Sequence, residues 1–217
     1  MCIEFPLAIS ISRQLGSGGS VLGKNLAKEL NFVFLDREIV RAAADRLGIH
    51  GEELEDNEEK INSVWKSFLL NFQYTDLFYA PVPIPIVPND REIYEVEADI
   101  ILRAAKEKPV VIVGRGASHI LKDHPNHVSI FLHAKTAFRQ KRSQEIYNIS
   151  ESKASKLIYE TDITRQRHLH KFTGQDMYDL RNYNLTIDTS IVGLDIAEKI
   201  IMHYIQLRFG DKIRDYK

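Results

Sequence analysis

Five short apolar runs divide the chain, and each of them ends in glycine, charged or other turn-forming residues. The runs cover residues 7–11, 32–35, 109–113, 128–133 and 184–190. Runs of this length, rich in Val, Ile and Leu, predict strands that are buried on both faces of a parallel sheet. Helical patterns separate and follow them, over residues 21–30, 37–47, 91–106, 135–147 and 192–209. This alternation of strands and helices predicts an α/β fold.

An insertion separates the second and third apolar runs. Residues 50–90 contain an acidic stretch and then a proline-rich stretch, 80–88, which can form neither a helix nor a central strand. With the helix that follows, we predict a helical insertion over about 50–106, inside one domain that spans 1–217. The apolar proline-rich stretch and the aromatic residues around Trp65 are compatible with a homo-oligomer.

A second polar segment covers residues 150–176. Arg165, His168 and Lys171 recur in it at helical spacing and would share one face of a helix. An exposed helical hairpin would also explain the polarity. The row of basic side chains favours a mobile lid that closes over nucleotide phosphates.

A glycine-rich turn links the first apolar run to the first helix. It consists of Gly16, Ser17, Gly18, Gly19 and Ser20. The helix behind such a turn presents N–H groups without intrahelical partners and the positive end of its dipole. Because both features attract anions, the turn predicts a phosphate-binding loop.

The same turn nearly matches the P-loop pattern G-x-x-x-x-G-K-[ST]. Gly18 and Ser20 stand at the second Gly and at the Ser/Thr of that pattern. Arg13 replaces the first Gly, and Gly19 replaces the Lys that would reach the outer phosphates. The loop therefore lacks its usual cation.

Charged residues stand where the predicted strands end, at the edge where parallel sheets bind ligands. Asp36 and Arg37 follow the second run, and Arg115 follows the third run between two glycines. An arginine at position 115 has no packing role there, and its planar guanidinium suits phosphate. Asp36 could bind a ligand or cap the next helix. On the helix over 135–147, we expect Arg142 to bind phosphate while the other basic residues face solvent.

Composition excludes several classes of function. The 217 residues carry a formal net charge of −1, which gives no electrostatic support for nucleic-acid binding. The single cysteine, Cys2, excludes an intramolecular disulfide and a cysteine-based metal cluster. Neither a signal peptide nor an apolar stretch of membrane-spanning length stands out. We therefore expect a cytoplasmic protein that binds neither membranes nor nucleic acid.

Taken together, these segments resemble the cytidylate kinase-like family within the P-loop nucleoside monophosphate kinases. The resemblance is specific in six patches, residues 9–20, 34–37, 112–116, 130–142, 162–165 and 185–190. It implies a three-layer P-loop NTPase fold, with a five-stranded parallel sheet, a helical insertion and a lid. It also implies that ATP and Mg²⁺ are the cofactors.

The resemblance further implies a role for each candidate residue. ATP would lie on the turn from Gly16 to Ser20, with Mg²⁺ held between its phosphates and next to Ser20. A small phosphorylated acceptor would be bound by arginines that include Arg115 and Arg41, near Asp36 and Arg37. Arg165 of the lid would close on the transferring group.

The chain departs from the family pattern at two positions. Cytidylate kinases carry Lys where this chain has Gly19, and an acidic residue where it has Gly116. The first departure removes a phosphate-binding cation, and the second removes a group near Mg²⁺. Arg13 could supply the missing positive charge from the same loop.

The leading hypothesis is a kinase for a nucleoside monophosphate, with Arg13, Arg142 and Arg165 as catalytic residues. Phosphoryl transfer depends mostly on positioning and charge neutralisation, so a relocated cation is compatible with activity. A second hypothesis is a kinase for a different acceptor, with Asp36 as the base. A third is a nucleotide-binding sensor that has lost transfer.

Overall fold

The computed structural model describes residues 5–36 and 91–210, apart from the side chains of residues 92 and 93. Several expectations concern residues outside these ranges. They are Cys2, Arg37, Arg41, Trp65, the helix over 37–47 and the proline-rich stretch 80–88. The predicted insertion can therefore be followed only in its last helix.

Five parallel strands form one sheet in the order β2-β3-β1-β4-β5. The strands are β1 (Ala8–Arg13), β2 (Val33–Leu35), β3 (Val110–Val113), β4 (His127–His133) and β5 (Leu185–Asp188). In the register of the sheet, Ile11 of β1 pairs with Val113 of β3 and with Ile130 of β4. The residues that follow β1 and β3 therefore meet at one edge, and the predicted five-stranded parallel sheet is confirmed.

Helices cover both faces of this sheet. They are α1 (Gly19–Leu30), α2 (Arg91–Glu107), α3 (Ala117–Ile120), α4 (Thr136–Tyr147), α5 (Glu151–Thr173) and α6 (Thr189–Phe209). One apolar cluster joins the sheet to α1 and α6, and a second joins its other face to α2 and α3. The three-layer α/β architecture expected of a P-loop NTPase is confirmed. None of the helices in the described ranges is both long and apolar enough to cross a bilayer.

Helix α2 belongs to the core of the domain. Its residues Ile100, Ile101, Ala104 and Ala105 are almost completely buried in the cluster over β2 and β3. The insertion predicted over about 50–106 thus runs into a helix that is one of the main layers. The periodicity of 91–106 indicated a helix, but it could not show that this helix packs on the sheet.

Helix α6 buries a different face from the one predicted. The sequence places Ile196, Ile200, Ile201, Tyr204 and Leu207 on or near one face of this helix, which predicts that this face is buried. Of this set only Ile201 is buried, together with Thr189, Ala197 and Ile205, while Ile196 is 53% and Leu207 is 73% exposed. Because apolar residues surround most of this helix, its periodicity does not select one face.

The predicted lid forms one helix of 23 residues, α5. Ala154, Ile158, Asp162 and Leu169 are its buried positions, so one side of it packs along much of its length. The C-terminal half of α5 reaches the carboxyl edge of the sheet, because Leu169 packs against Phe131 of β4 and lines a cavity with Ser12 and Gly114. A closing movement of this helix remains a prediction.

A buried serine–histidine pair between β1 and β4 predicts acid sensitivity. The Oγ atom of Ser10 and the Nε2 atom of His127 lie 2.7 Å apart. Burial, with smaller contributions from the positive charges of His124 and Arg208, lowers the pKa of His127 from 6.5 to about 4. Between these two values the unfolded chain binds the extra proton, so stability is lost as the pH falls from about 6.5 to about 4.

The loss should reach about 3 kcal/mol at the acid end of that window. We expect His127→Gln to flatten the pH dependence of the free energy of unfolding over this range. Urea unfolding at a series of pH values measures it. Equal slopes in the wild type and the variant would show that other groups cause the acid sensitivity.

Candidate functional site

The glycine-rich turn connects the end of β1 to the N-terminus of α1. Helix α1 begins at Gly19 with Gly18 as its N-cap, and Ser20 is exposed in the first turn. Gly16 has a φ of 82°, and a Cβ atom there would lie 2.8 Å from the backbone oxygen of Arg139. Because both the conformation and the backbone contact exclude a side chain, position 16 requires glycine. The turn thus has the form of a phosphate cradle.

Ser17 contributes to the shape of this loop through hydrogen bonds inside the protein. It is completely buried, and its Oγ donates to the backbone oxygen of Gln14 at 2.9 Å. Its own carbonyl oxygen accepts a hydrogen bond of 2.9 Å from Oγ1 of Thr189. The Ser17 hydroxyl is therefore turned into the protein, and the backbone N–H of Ser17 also donates to the backbone oxygen of Gln14, at 3.4 Å.

The side chain of Arg13 occupies the space that the two nearby glycines leave open. A Cβ atom at Gly19 would lie 2.8 Å from Cγ and 2.9 Å from Cβ of Arg13. A Cβ atom at Gly114 would overlap Nη1 of the same arginine. Arg13 therefore extends from β1 past the first residue of α1 to the end of β3.

A small cavity of about 100 Å³ lies where Arg13 ends. It brings together Arg13 from β1, Arg115 from the turn after β3 and Arg165 from α5. The other lining residues are Ser12, Gly114, Gly116, Thr164, His168, Leu169 and Met177. Since none of the described residues that line the cavity is acidic, it is suited to an anion with more than one negative charge.

Arg115 also has a structural partner, which the sequence did not reveal. It forms an ion pair with Glu97 of α2, and their side chains are only 6% and 2% exposed. The expectation that an arginine at position 115 has no packing role is therefore wrong. A buried carboxylate behind the guanidinium holds it in place, and Arg115 still lines the cavity.

An aromatic group beside the cavity was also missed. The rings of Tyr94 and Phe172 are stacked at 4.6 Å between centroids, and His168 meets Phe172 edge to face at 4.8 Å. Burial raises the pKa of Tyr94, an effect that Arg115 partly offsets. In the sequence, only the spacing of His168 and Phe172, one helical turn apart, indicates that two members of this group lie side by side. Nothing in the sequence indicates that Tyr94 joins them.

Helix α5 is bonded directly to the glycine-rich loop. Oδ1 of Asp162 accepts a hydrogen bond of 2.8 Å from the backbone N–H of Leu15. Its Oδ2 accepts one of 2.5 Å from Nη1 of Arg139. Nη1 of Arg165 donates to the backbone oxygen of Arg13 at 3.2 Å. We expected Arg139 on the solvated face of α4, but it is 7% exposed because Asp162 and the loop surround it.

The remaining predicted site residues lie around this centre. Arg142 is half-buried on α4, and its Nε is buried with no hydrogen-bond partner among the described residues. It does not line the cavity that contains the other three arginines. Asp36 directly follows β2 and is half-buried. The described ranges contain no cluster of three or more His, Cys, Asp or Glu residues suited to a metal.

Solved structures similar to this one have the same architecture. An uncharacterized protein from Eubacterium ventriosum is 24% identical, with a TM-score of 0.68 and coverage of 92% of this chain and 98% of that chain. A shikimate kinase from Bacteroides thetaiotaomicron is 12% identical, with a TM-score of 0.50 and the same two coverages. At these identities the likeness shows the fold alone.

Sequence comparison gives a narrower result. A cytidylate kinase of Sulfurisphaera tokodaii is 26% identical over 208 residues, which are 95% of this chain and 99% of the relative. One from Pyrococcus abyssi is 29% identical over 185 residues, which are 85% of each protein. The model of the cytidylate kinase-like family matches residues 8–191, which is well over half of the chain. The chain therefore belongs to the cytidylate kinase-like family.

Proposed function

We propose that this protein transfers the γ-phosphoryl group of ATP to a nucleoside monophosphate, with a cytidylate-like molecule as the acceptor. The observation that carries this proposal is the cavity that Arg13, Arg115 and Arg165 line, immediately behind the N-terminus of α1. Its family and the cytidylate kinases that it resembles support a phosphotransferase of this type. The cavity supplies the charge that two phosphate groups in close contact would need.

The donor would bind through the glycine-rich loop. The backbone N–H groups around Gly18 and Gly19, at the positive end of α1, would hold the phosphates of ATP. The cradle fits this role because glycine is required at position 16. Mg²⁺ would neutralise phosphate charge, and the exposed hydroxyl of Ser20 is the protein group that would contact it.

The transfer itself would depend on arginines from three elements. Arg13 would take the place of the P-loop lysine, and Arg165 would neutralise charge from the side of α5. Arg142 would add to this charge from α4. Because the phosphate of a nucleoside monophosphate is ionised at neutral pH, no protein base is needed.

The acceptor phosphate would be held by Arg115, whose guanidinium is fixed by Glu97. Asp36 would contribute from the end of β2. Arg37 and Arg41, which follow it in the sequence, complete the proposed set. The base of the acceptor would contact residues beyond this arginine cluster.

A coupled assay of ADP release with ATP and Mg²⁺ tests the proposal. CMP and dCMP come first in the acceptor panel, followed by the other nucleoside monophosphates. Turnover that depends on one of these acceptors is the expected result. ATP binding in a thermal-shift experiment without turnover on any acceptor would favour a different acceptor or a sensor. Absence of both binding and turnover would overturn the phosphate-cradle assignment.

Gly114→Ala provides a test of the position of Arg13. Its methyl group would displace the Arg13 guanidinium, whereas a Cβ atom at Gly174, which has a similar φ of 70°, would meet nothing within 4 Å. Both alanine variants should lose about 1–2 kcal/mol of the free energy of unfolding, because alanine is strained in the left-handed conformation that each glycine adopts. Only Gly114→Ala should also lose turnover, by about tenfold or more.

Measurement of kcat and of thermal unfolding for both variants checks this expectation. The effect of Gly114→Ala on kcat should disappear in a background that already carries Arg13→Ala. An equal loss of turnover in Gly114→Ala and Gly174→Ala would show that backbone strain, and not the arginine, is responsible.

A further inference from the structure

We propose that Asp162 is a positioning residue that holds the phosphate loop in its binding conformation and links it to α5. The proposal builds on the proposed function, because the loop is taken to bind the phosphates of ATP. Asp162 does not line the cavity, so it acts through the loop and not on a reacting atom.

Both carboxylate oxygens of Asp162 contact the loop or its supports, and Oδ1 also lies 4.0 Å from Nη1 of Arg165. Oδ1 accepts the backbone N–H of Leu15 at 2.8 Å, and Oδ2 accepts Nη1 of Arg139 at 2.5 Å. The same Nη1 lies 3.4 Å from the carbonyl oxygen of Leu15, and Nε of Arg139 donates to the carbonyl oxygen of Ala134 at 3.1 Å. One carboxylate and one guanidinium therefore fix both polar backbone groups of Leu15.

Burial makes these bonds strong. Asp162 is 8% and Arg139 is 7% exposed, so water competes little for either group. Hydrogen bonds to charged groups are stronger than neutral ones, and they gain further strength where the surroundings are poorly solvated. Leu15 immediately precedes Gly16, whose backbone packs on that of Arg139. The conformation of the loop at its tightest point thus depends on this pair.

The same helix continues the link towards the cavity. Arg165 is one turn beyond Asp162, donates to the carbonyl oxygen of Arg13 and lines the cavity. Any movement of α5 relative to the sheet would therefore change the bonds at Arg13 and Leu15 together. Occupation of the loop and the position of the α5 arginine should be coupled for this reason.

The test compares Asp162→Ala with Ile158→Ala in the full chain. Ile158 is one turn earlier on α5, is 4% exposed and is apolar, so its variant loses core packing without loss of a bond to the loop. Asp162→Asn is a third variant that keeps an oxygen for the Leu15 N–H but removes the charge opposite Arg139. If Asp162→Ala does not fold, Asp162→Asn is compared with Ile158→Ala in its place.

Hydrogen exchange of residues 13–20 in the absence of nucleotide is the first readout. We expect about tenfold faster exchange in Asp162→Ala, an intermediate increase in Asp162→Asn and no change in Ile158→Ala. The second readout is the affinity for ATP, which should weaken about tenfold in Asp162→Ala and stay unchanged in Ile158→Ala. Thermal unfolding of each variant shows how much stability it has lost.

Equal exchange and equal ATP affinity in Asp162→Ala and Ile158→Ala would overturn the proposal, because Asp162 would then be merely structural. Failure of the ATP-binding part of the proposed function gives a different result. In that case the wild type would bind no ATP, while the difference in exchange between the variants would persist and would still support the role of Asp162 in the loop.

Discussion

Replacement of Arg13 by alanine is expected to reduce turnover about a hundredfold, equivalent to about 3 kcal/mol of transition-state stabilisation. Arg13 is the cation next to the first residue of α1, and its guanidinium reaches the turn after β3. The side chain lies at the cavity and outside the two main apolar clusters. Thermal unfolding should therefore change little. Measurement of kcat and of the unfolding temperature of the same preparation checks both parts.

A reciprocal exchange is the matched control. Gly19→Lys alone should impair the enzyme, because its Cβ would lie 2.8 Å from Cγ of Arg13. The double variant Arg13→Gly/Gly19→Lys removes this conflict and creates the full G-x-x-x-x-G-K-[ST] pattern with Gly18 and Ser20. We expect it to recover at least about tenfold over Arg13→Ala. Unchanged turnover in Arg13→Ala would show that the charge for transfer comes from another residue.

The physical reason for the two P-loop departures becomes clear only in three dimensions. In the sequence, Arg13 and Gly19 appear as separate deviations from the pattern. In the structure, the stem of the arginine fills the volume that a side chain at position 19 would need. A motif records which residue types occur, but it does not record which of two neighbouring side chains occupies a shared space.

The sheet could be predicted because each strand is a local signal. The run that became β3 is wholly apolar, and the run that became β1 has Ala8, Ile9 and Ile11 around Ser10. Both runs are followed by glycine or charged residues, so the sequence predicted where these strands lie and where they end. The buried face of α6 could not be predicted, since its sequence is apolar on several sides. There the choice between Ile200 and Ile205 depends on the position of the helix over the sheet, which is a tertiary property.

The site shows the same division between local and long-range information. The loop from Gly16 to Ser20 and the position of Arg115 at a strand end followed from local pattern. The partners of the arginines did not, because Glu97 is far from Arg115 along the chain and Asp162 is 23 residues from Arg139. Opposite charges at such separations give no periodic signal, although they decide which arginines are buried.

Arg115 combines a structural and a proposed acceptor-binding role, and a pair of variants separates the two. Arg115→Met leaves Glu97, whose side chain is 2% exposed, without its charged partner. Breaking a buried ion pair on one side costs about 3–5 kcal/mol of stability. The same variant should raise the KM for the acceptor strongly, because a guanidinium is lost from the cavity.

The double variant Glu97→Met/Arg115→Met removes both charges and fills the space with side chains of similar length. Replacement of a buried ion pair by apolar residues is often close to neutral, so most of the lost stability should return. Acceptor binding should not return, since the cavity still lacks this arginine. Urea unfolding and the KM for CMP, measured on both variants, give the two readouts. If the stable double variant had the KM of the wild type, Arg115 would be a structural residue, and the acceptor phosphate would have to be held by Arg13 and Arg165 alone among the arginines that line the cavity.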